Sequence, residues 1–177
     1  IYDDSQQPIG LAGISTDVTA HRRMEEALKD KNTELEEILN AVPDAIVYAD
    51  INRRISKVNP AFTSLYGYSD QEVIGKETKI LYADEEEYEK QGRLRYNVEA
   101  EHKYKPYEVR YRREDGSSFL SETVGTPVRN TKGKTIGFLA LIRDITERKR
   151  IENDIQTALN EKEVLLRELY HRTKNNM

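Results

Sequence analysis

An apolar, strand-like run that passes straight into a charged helical pattern occurs twice in this chain, and that repeat constrains the fold more than any other feature. Ile9-Gly10-Leu11-Ala12-Gly13-Ile14-Ser15-Thr16-Asp17-Val18-Thr19 aligns with Ile136-Gly137-Phe138-Leu139-Ala140-Leu141-Ile142-Arg143-Asp144-Ile145-Thr146, an offset of 127 residues. A repeat at domain-scale spacing reads as tandem domains rather than a solenoid. Residues 1–19 are then expected to be the tail of a preceding domain, 20–40 a connecting helix, 41–146 one complete domain, and 147–177 a helix leaving it.

The 177 residues leave room for one such domain and its flanks. Charged residues make up 34% of the chain, more than one compact globule needs, so the surplus belongs on solvated helices. The net charge is −4 with both signs interleaved, which gives no basic stripe for a nucleic-acid backbone. Cysteine is absent, which excludes disulfides, thiolate metal ligands, Cys nucleophiles and flavin–thiol adducts. No residue set is assigned to a metal. No apolar run approaches the roughly 20 residues of a membrane span, and Ile1 belongs to no signal peptide. The expectation is a piece of a longer cytoplasmic protein.

Between the two copies the pattern is mixed. Ala45–Asp50 and Arg54–Asn59 read as short strands joined at Ile51-Asn52-Arg53. Asn59-Pro60 opens a helix with Phe62, Leu65 and Tyr66 on one face, which Gly67 closes. Ser69 caps a second short helix ending at Gly75. A third is expected from the acidic tract at Asp84 toward Ala100, burying Tyr88, Leu94 and Val98. Three longer strands follow, separated by Glu114-Asp115-Gly116 and Asn130-Thr131-Lys132-Gly133-Lys134. The last carries apolar residues on both faces, as a central strand covered on both sides would.

Val58-Asn59-Pro60-Ala61-Phe62, Leu65-Tyr66-Gly67-Tyr68-Ser69, Val73-Ile74-Gly75-Lys76, Arg112-Arg113-Glu114-Asp115-Gly116-Ser117 and Gly137 through Arg148 together resemble the PAS sensory fold over about residues 38–147. That resemblance implies an α+β class: a five-stranded antiparallel sheet with short helices on one face around a small cavity. Asp144 suits an N-cap with Glu147 reaching back, and Thr146 can hold backbone groups at the same boundary. The resemblance adds signal relay to this corner. Aligned on Phe119, Ser121, Thr123 and Gly125 with Tyr111 form a polar or open cavity wall suited to a small polar ligand or water. A one-residue shift of that register would turn these side chains to the other face. The adduct-forming Cys of flavin photosensors is missing, and Lys90 stands where haem-binding relatives place a proximal His, so neither cofactor is expected. His102 reads as a solvated turn residue.

The flanking segments carry heptad-like seams, Met24, Leu28, Lys31, Leu35, Ile38 and Ile151, Ile155, Ala158, Lys162, Leu165, Leu169. Coiled coils and a homodimer follow. The alternative packs each helix on its own sheet through Leu39, Leu159 and Leu166. Continuing the second seam places His171 on the solvent side, with Glu168 one turn earlier to orient it and Lys174 and Asn175 one turn later to steady a phosphoryl group. Glu168 through Asn176 resembles the phosphoacceptor box of sensor histidine kinases of the His-Arg-x-Lys-Asn-Asn subfamily, with Thr173 at the variable position.

The two resemblances together imply the sensory and relay region of a two-component sensor histidine kinase. Its parent would autophosphorylate on His171 with ATP and Mg²⁺ and pass the phosphoryl group to a response-regulator receiver. The chain itself shows no Gly-rich nucleotide loop. Two alternatives stand beside this: a PAS scaffold that dimerises without a ligand, and a ligand receptor feeding a different effector.

Overall fold

The computed structural model describes residues 19–99 and 105–175, with side chains placed for 22–99 and 105–171. The upstream repeat copy, the tail to Val18, His102 and the side chains of Lys174 and Asn175 lie outside the described residues. The chain divides into two units, Ile1–Leu39 and Asn40–Met177. In the first, α1 (Thr19–Ala41) begins, and its Met24, Leu28, Leu35 and Ile38 are exposed.

The second unit is built on a five-stranded antiparallel sheet in the order β2-β1-β5-β4-β3. The strands are β1 (Ala45–Asp50), β2 (Ile55–Val58), β3 (Tyr107–Arg112), β4 (Ser118–Arg129) and β5 (Thr135–Asp144). β5 pairs with both β1 and β4, so the longest apolar run lies at the centre. Helices α2 (Pro60–Tyr66), α3 (Asp70–Val73) and α4 (Glu85–Leu94), with a 3-10 turn at Thr78–Leu81, connect the two edge strands. They close one face, where Phe62, Tyr66, Val73, Leu81 and Tyr88 pack against Val47, Val109, Tyr111, Phe119 and Ile142.

Local chemistry sets the helix ends. Asn59 Oδ1 caps α2 by accepting from Phe62 N at 3.1 Å, Pro60 supplies the fixed φ of a first helical residue, and Gly67 closes the helix at φ 86°. Glu72 accepts from both the amide and the hydroxyl of Ser69, which opens α3 and lowers the Glu72 pKa.

Two expectations are corrected here. α4 stops at Leu94 because Asn97 Nδ2 donates to the carbonyls of Gly92 and Arg93, ending the helical ladder. Tyr96 turns inward instead, leaving Leu94 and Val98 48% and 55% exposed. The second face of β5 is not fully covered either: Leu139 and Leu141 are half-buried beside Val124, because the connecting helices all lie on the opposite face.

The last helix, α5 (Thr146–Asn175), runs 30 residues, a length of about 45 Å. Its seam residues Ile151, Ile155, Leu165 and Leu169 are exposed, as are Leu159 and Leu166, so α5 does not fold back onto its own sheet. No helix among the described residues is long and apolar enough to cross a membrane.

Candidate functional site

The site has three parts: a cavity between the helical layer and the sheet, a junction where β5 becomes α5, and the far end of α5. The cavity follows from the inward alternation of the strands. Val47 and Ala49 of β1, Tyr111 of β3 and Phe138, Ala140 and Ile142 of β5 form its floor; Leu81, Tyr82 and Tyr96 form its roof. Small residues at Ala49 and Ala140 leave a space of about 30 Å³, enough for roughly two waters.

Ser121 and Thr123 are fully buried on the inner face of β4, yet they do not line this cavity. Ser121 Oγ donates to Val109 O at 2.9 Å and lies 3.0 Å from Thr123 Oγ1, so the two hydroxyls are used within the sheet. Gly125 is occupied in another way: a Cβ there would meet the Tyr96 hydroxyl at 2.2 Å. The expected polar wall is therefore replaced by an aromatic and aliphatic one, to which only Tyr111 of the expected residues contributes.

Tyrosine dominates the surroundings. Tyr82 and Tyr111 meet edge to face at 5.0 Å, Tyr82 and Tyr88 at 5.4 Å, and Tyr96 and Phe138 at 5.9 Å. The Tyr96 and Tyr107 hydroxyls lie 2.7 Å apart. Burial drives the pKa of Tyr66, Tyr82, Tyr96, Tyr107 and Tyr111 upward. Among the described residues the one cation on the wall is Arg53, whose guanidinium carbon lies 3.6 Å from the Tyr88 ring centroid.

At the junction, Asp144 Oδ1 accepts from Thr146 N at 2.8 Å and Asp144 Oδ2 from Arg113 Nη2 at 2.8 Å. Arg113 Nη1 also donates to the Leu65 carbonyl at the end of α2. Thr146 Oγ1 accepts from Leu120 N at 3.1 Å, and Ile145 N donates back to Leu120 O at 2.9 Å. Burial raises the Asp144 pKa, but the Thr146 amide and hydroxyl and the Arg113 guanidinium outweigh it, so the net shift is downward. The expected return of Glu147 to this cap does not form; its carboxylate accepts from Arg150 at 3.2 Å instead. Lys149 pairs with Glu108 at 2.8 Å and Arg148 with Glu122 at 3.5 Å, fastening the first turns of α5 to β3 and β4.

His171 lies exposed on α5, with Glu168 exposed three residues earlier on the same helix. The structure thus sets Asp144 and Thr146 together, Tyr111 on the cavity, and His171 and Glu168 far along α5. Arg53, Tyr82 and Tyr96 were not singled out from sequence, and Arg113 entered only as part of the PAS-like motif at the DG turn. One signal was available for the tyrosines: 11 Tyr against 3 Phe and no Trp means a core of hydroxyl-bearing rings. Arg53 is hidden in a polar turn and gives none.

A family model described as the PAS fold matches residues 33–145. The chain is similar to the sensor protein FixL of Bradyrhizobium diazoefficiens, 26% identical over 169 residues, covering 91% of this chain and 32% of FixL. It is similar also to the cell-division control histidine kinase PdhS of Brucella anthropi, 33% identical over 144 residues, covering 78% of this chain and 13% of PdhS. The chain thus spans a third or less of the length of these relatives. Among solved structures, the PAS domain of an HTR-like protein from Haloarcula marismortui superposes with a TM-score of 0.59 at 28% identity, covering 70% of this chain and 99% of that one.

Proposed function

The chain belongs to the PAS-fold family, and from that premise we propose that it is the sensory and relay region of a two-component sensor histidine kinase whose parent autophosphorylates on His171. The observation that carries the proposal is the junction. One carboxylate, Asp144, ties β5 to Arg113 and to the first turn of α5, and α5 then displays His171 with no break in the helix. A change in the cavity that moves β5 or Tyr111 has a direct mechanical route to the helix. The similarity to FixL and PdhS supports a kinase as the output.

In this reading residues 1–19 end a preceding PAS domain, 20–40 connect, 41–146 sense, and 147–177 relay. A ring nitrogen of His171 attacks the γ-phosphorus of ATP, ADP leaves with the bridging oxygen, and the phosphoryl group passes to an Asp carboxylate of a receiver domain. A separate catalytic domain supplies ATP and Mg²⁺, because phosphoryl transfer needs positioning and charge neutralisation that this sequence does not contain. Glu168 orients the imidazole and takes up its second proton, while Lys174 and Asn175 steady the transferred group. The exposed seams pair in a parallel homodimer, and ATP-dependent transfer sets the protein in the cytoplasm.

The test is phosphorylation in trans by the catalytic domain of a related histidine kinase with labelled ATP, comparing the chain with His171→Ala. Acid-labile label that disappears in the variant supports the reading; label retained without His171 overturns it. A second reading, a PAS scaffold with no ligand, draws on cavity size: about 30 Å³ of free space is small beside the roughly 300 Å³ and upward of ordinary ligand pockets.

A further inference from the structure

We propose that the cavity beneath the β1–β2 turn binds a small carboxylate, anchored by the Arg53 guanidinium. This deepens the sensory reading and rests on it only for what binding does, not for binding itself.

Arg53 is an unusual choice for its position. It has a φ of 61° and is the one non-glycine residue with positive φ among the described residues, in a left-handed conformation that favours Gly or Asn over a long side chain. Its side chain nevertheless folds inward. The guanidinium stacks on Tyr88 at 3.6 Å and sits 5.7 Å from the Tyr96 centroid and 6.0 Å from that of Tyr82. Nη1 donates to the Tyr88 carbonyl at 3.1 Å. Nη2 is buried without a hydrogen-bond acceptor of ordinary geometry among the described residues, the guanidinium meeting the Tyr82 hydroxyl only loosely and lowering that group's pKa against the effect of burial. No Asp or Glu among the described residues forms an ion pair with Arg53.

A shielded guanidinium N–H with no acceptor is costly, because it gives up its water without a replacement. The fold also makes room for it. Gly92 lies in the middle of α4, where glycine weakens a helix, and a Cβ there would come 2.3 Å from Arg53 Nη1. A strained turn and a helical glycine thus both serve to hold one cation among the aromatic rings that line the cavity.

The chemistry of the wall selects the ligand. Guanidinium pairs best with a planar carboxylate, and aromatic walls that exclude water strengthen that pairing. The rest of the wall, Val47, Ala49, Phe138 and Ala140, suits a short hydrocarbon tail. A phosphate dianion needs several further donors, and among the described residues the wall offers one cation. Formate matches in charge, planarity and size, and acetate and propionate, one and two carbons longer, measure how far the walls yield.

The experiment is a titration of the ¹⁵N-labelled chain with sodium formate, acetate and propionate, against sodium chloride at equal ionic strength and acetamide as the neutral counterpart of acetate. The expected result is saturable shifts at Arg53, Tyr96 and Phe138 with at least one carboxylate, and binding at least about tenfold weaker for acetamide. Arg53→Gln should weaken binding by the same factor. Gly92→Ala provides the control for folding: it favours the helix, keeps the arginine and displaces the guanidinium, so it too should abolish the shifts. The proposal is overturned if none of the three carboxylates saturates at tens of millimolar, if acetamide binds equally, or if either variant binds like the parent. Carboxylate binding by a chain that takes no label on His171 would remove the kinase reading and leave the site; label without binding would do the reverse.

Discussion

Arg113 and Asp144, 31 residues apart, are joined at 2.8 Å by a guanidinium that also holds the carbonyl of Leu65. The DG hairpin, the end of α2 and the start of α5 therefore meet at one ion pair, both members of which are about 70% shielded.

Replacing Asp144 with Ala removes the acceptor for both Arg113 and the Thr146 amide. The expected cost is about 1–3 kcal/mol, measured by urea unfolding. The acid limb supplies a second readout. The Asp144 pKa in the fold lies below the ordinary 3.8, so its contribution is full above that value and is lost as pH falls through the lowered one. The variant should lack that part of the acid slope.

At the alkaline end the sign reverses. Tyr66, Tyr82, Tyr96, Tyr107 and Tyr111 have raised pKa values in the fold, whereas in the unfolded chain each ionises near 10. Their stabilisation is complete below about pH 10 and disappears above it as the unfolded state releases protons first. Tyrosinate absorbance should therefore rise steeply and together with loss of far-ultraviolet ellipticity; five independent, gradual ionisations in a still-folded chain would contradict this.

Asn59 is a buried knot between β1 and α2. Its Oδ1 accepts from Ile46 N at 2.8 Å and Phe62 N at 3.1 Å, and its Nδ2 donates to Asp44 O at 3.0 Å. Asn59→Ala leaves several of these groups without partners, and a loss of about 3 kcal/mol or more is expected from denaturant midpoints. A loss below 1 kcal/mol, on the scale of an exposed cap, would show that water replaces the side chain.

Gly125→Ala places a methyl group against the Tyr96 hydroxyl, which is held by Tyr107 and cannot swing away freely. Overpacking of this kind costs about 1–3 kcal/mol. Adding Tyr96→Phe should return part of that loss, because the atom at 2.2 Å is the one removed.

The exposed α5 seam predicts self-association. Light scattering should find a dimer that dissociates on dilution, and Ile155→Lys with Leu165→Lys should give a monomer with unchanged sheet content, since both residues are exposed and remote from the core.

The strands and caps were legible because their chemistry is local: Asn59-Pro60, Gly67, Ser69 with Glu72 and the DG turn each act within a few residues. The inward face of β4 was legible for the same reason, since alternation fixes it once one residue is placed. The cavity wall was not. Whether Ser121 reaches a ligand or Val109 O depends on a neighbouring strand, and Tyr96 enters only because Asn97 ends α4 early. Arg53 depends on both a turn angle and an absent side chain on a helix 39 residues away at Gly92, a combination that no periodicity records.

The clamp at Thr146, Arg148 and Lys149 fixes the azimuth at which α5 leaves the sheet. Beyond it the helix behaves as a screw of constant pitch, so every residue inserted or deleted before His171 turns the imidazole by about 100° around the axis. Seven residues nearly restore the heading and three or four approximate it. The linker length is thus an angular setting, and natural or engineered joins to this sheet should tolerate changes in multiples of a heptad while rejecting single-residue ones.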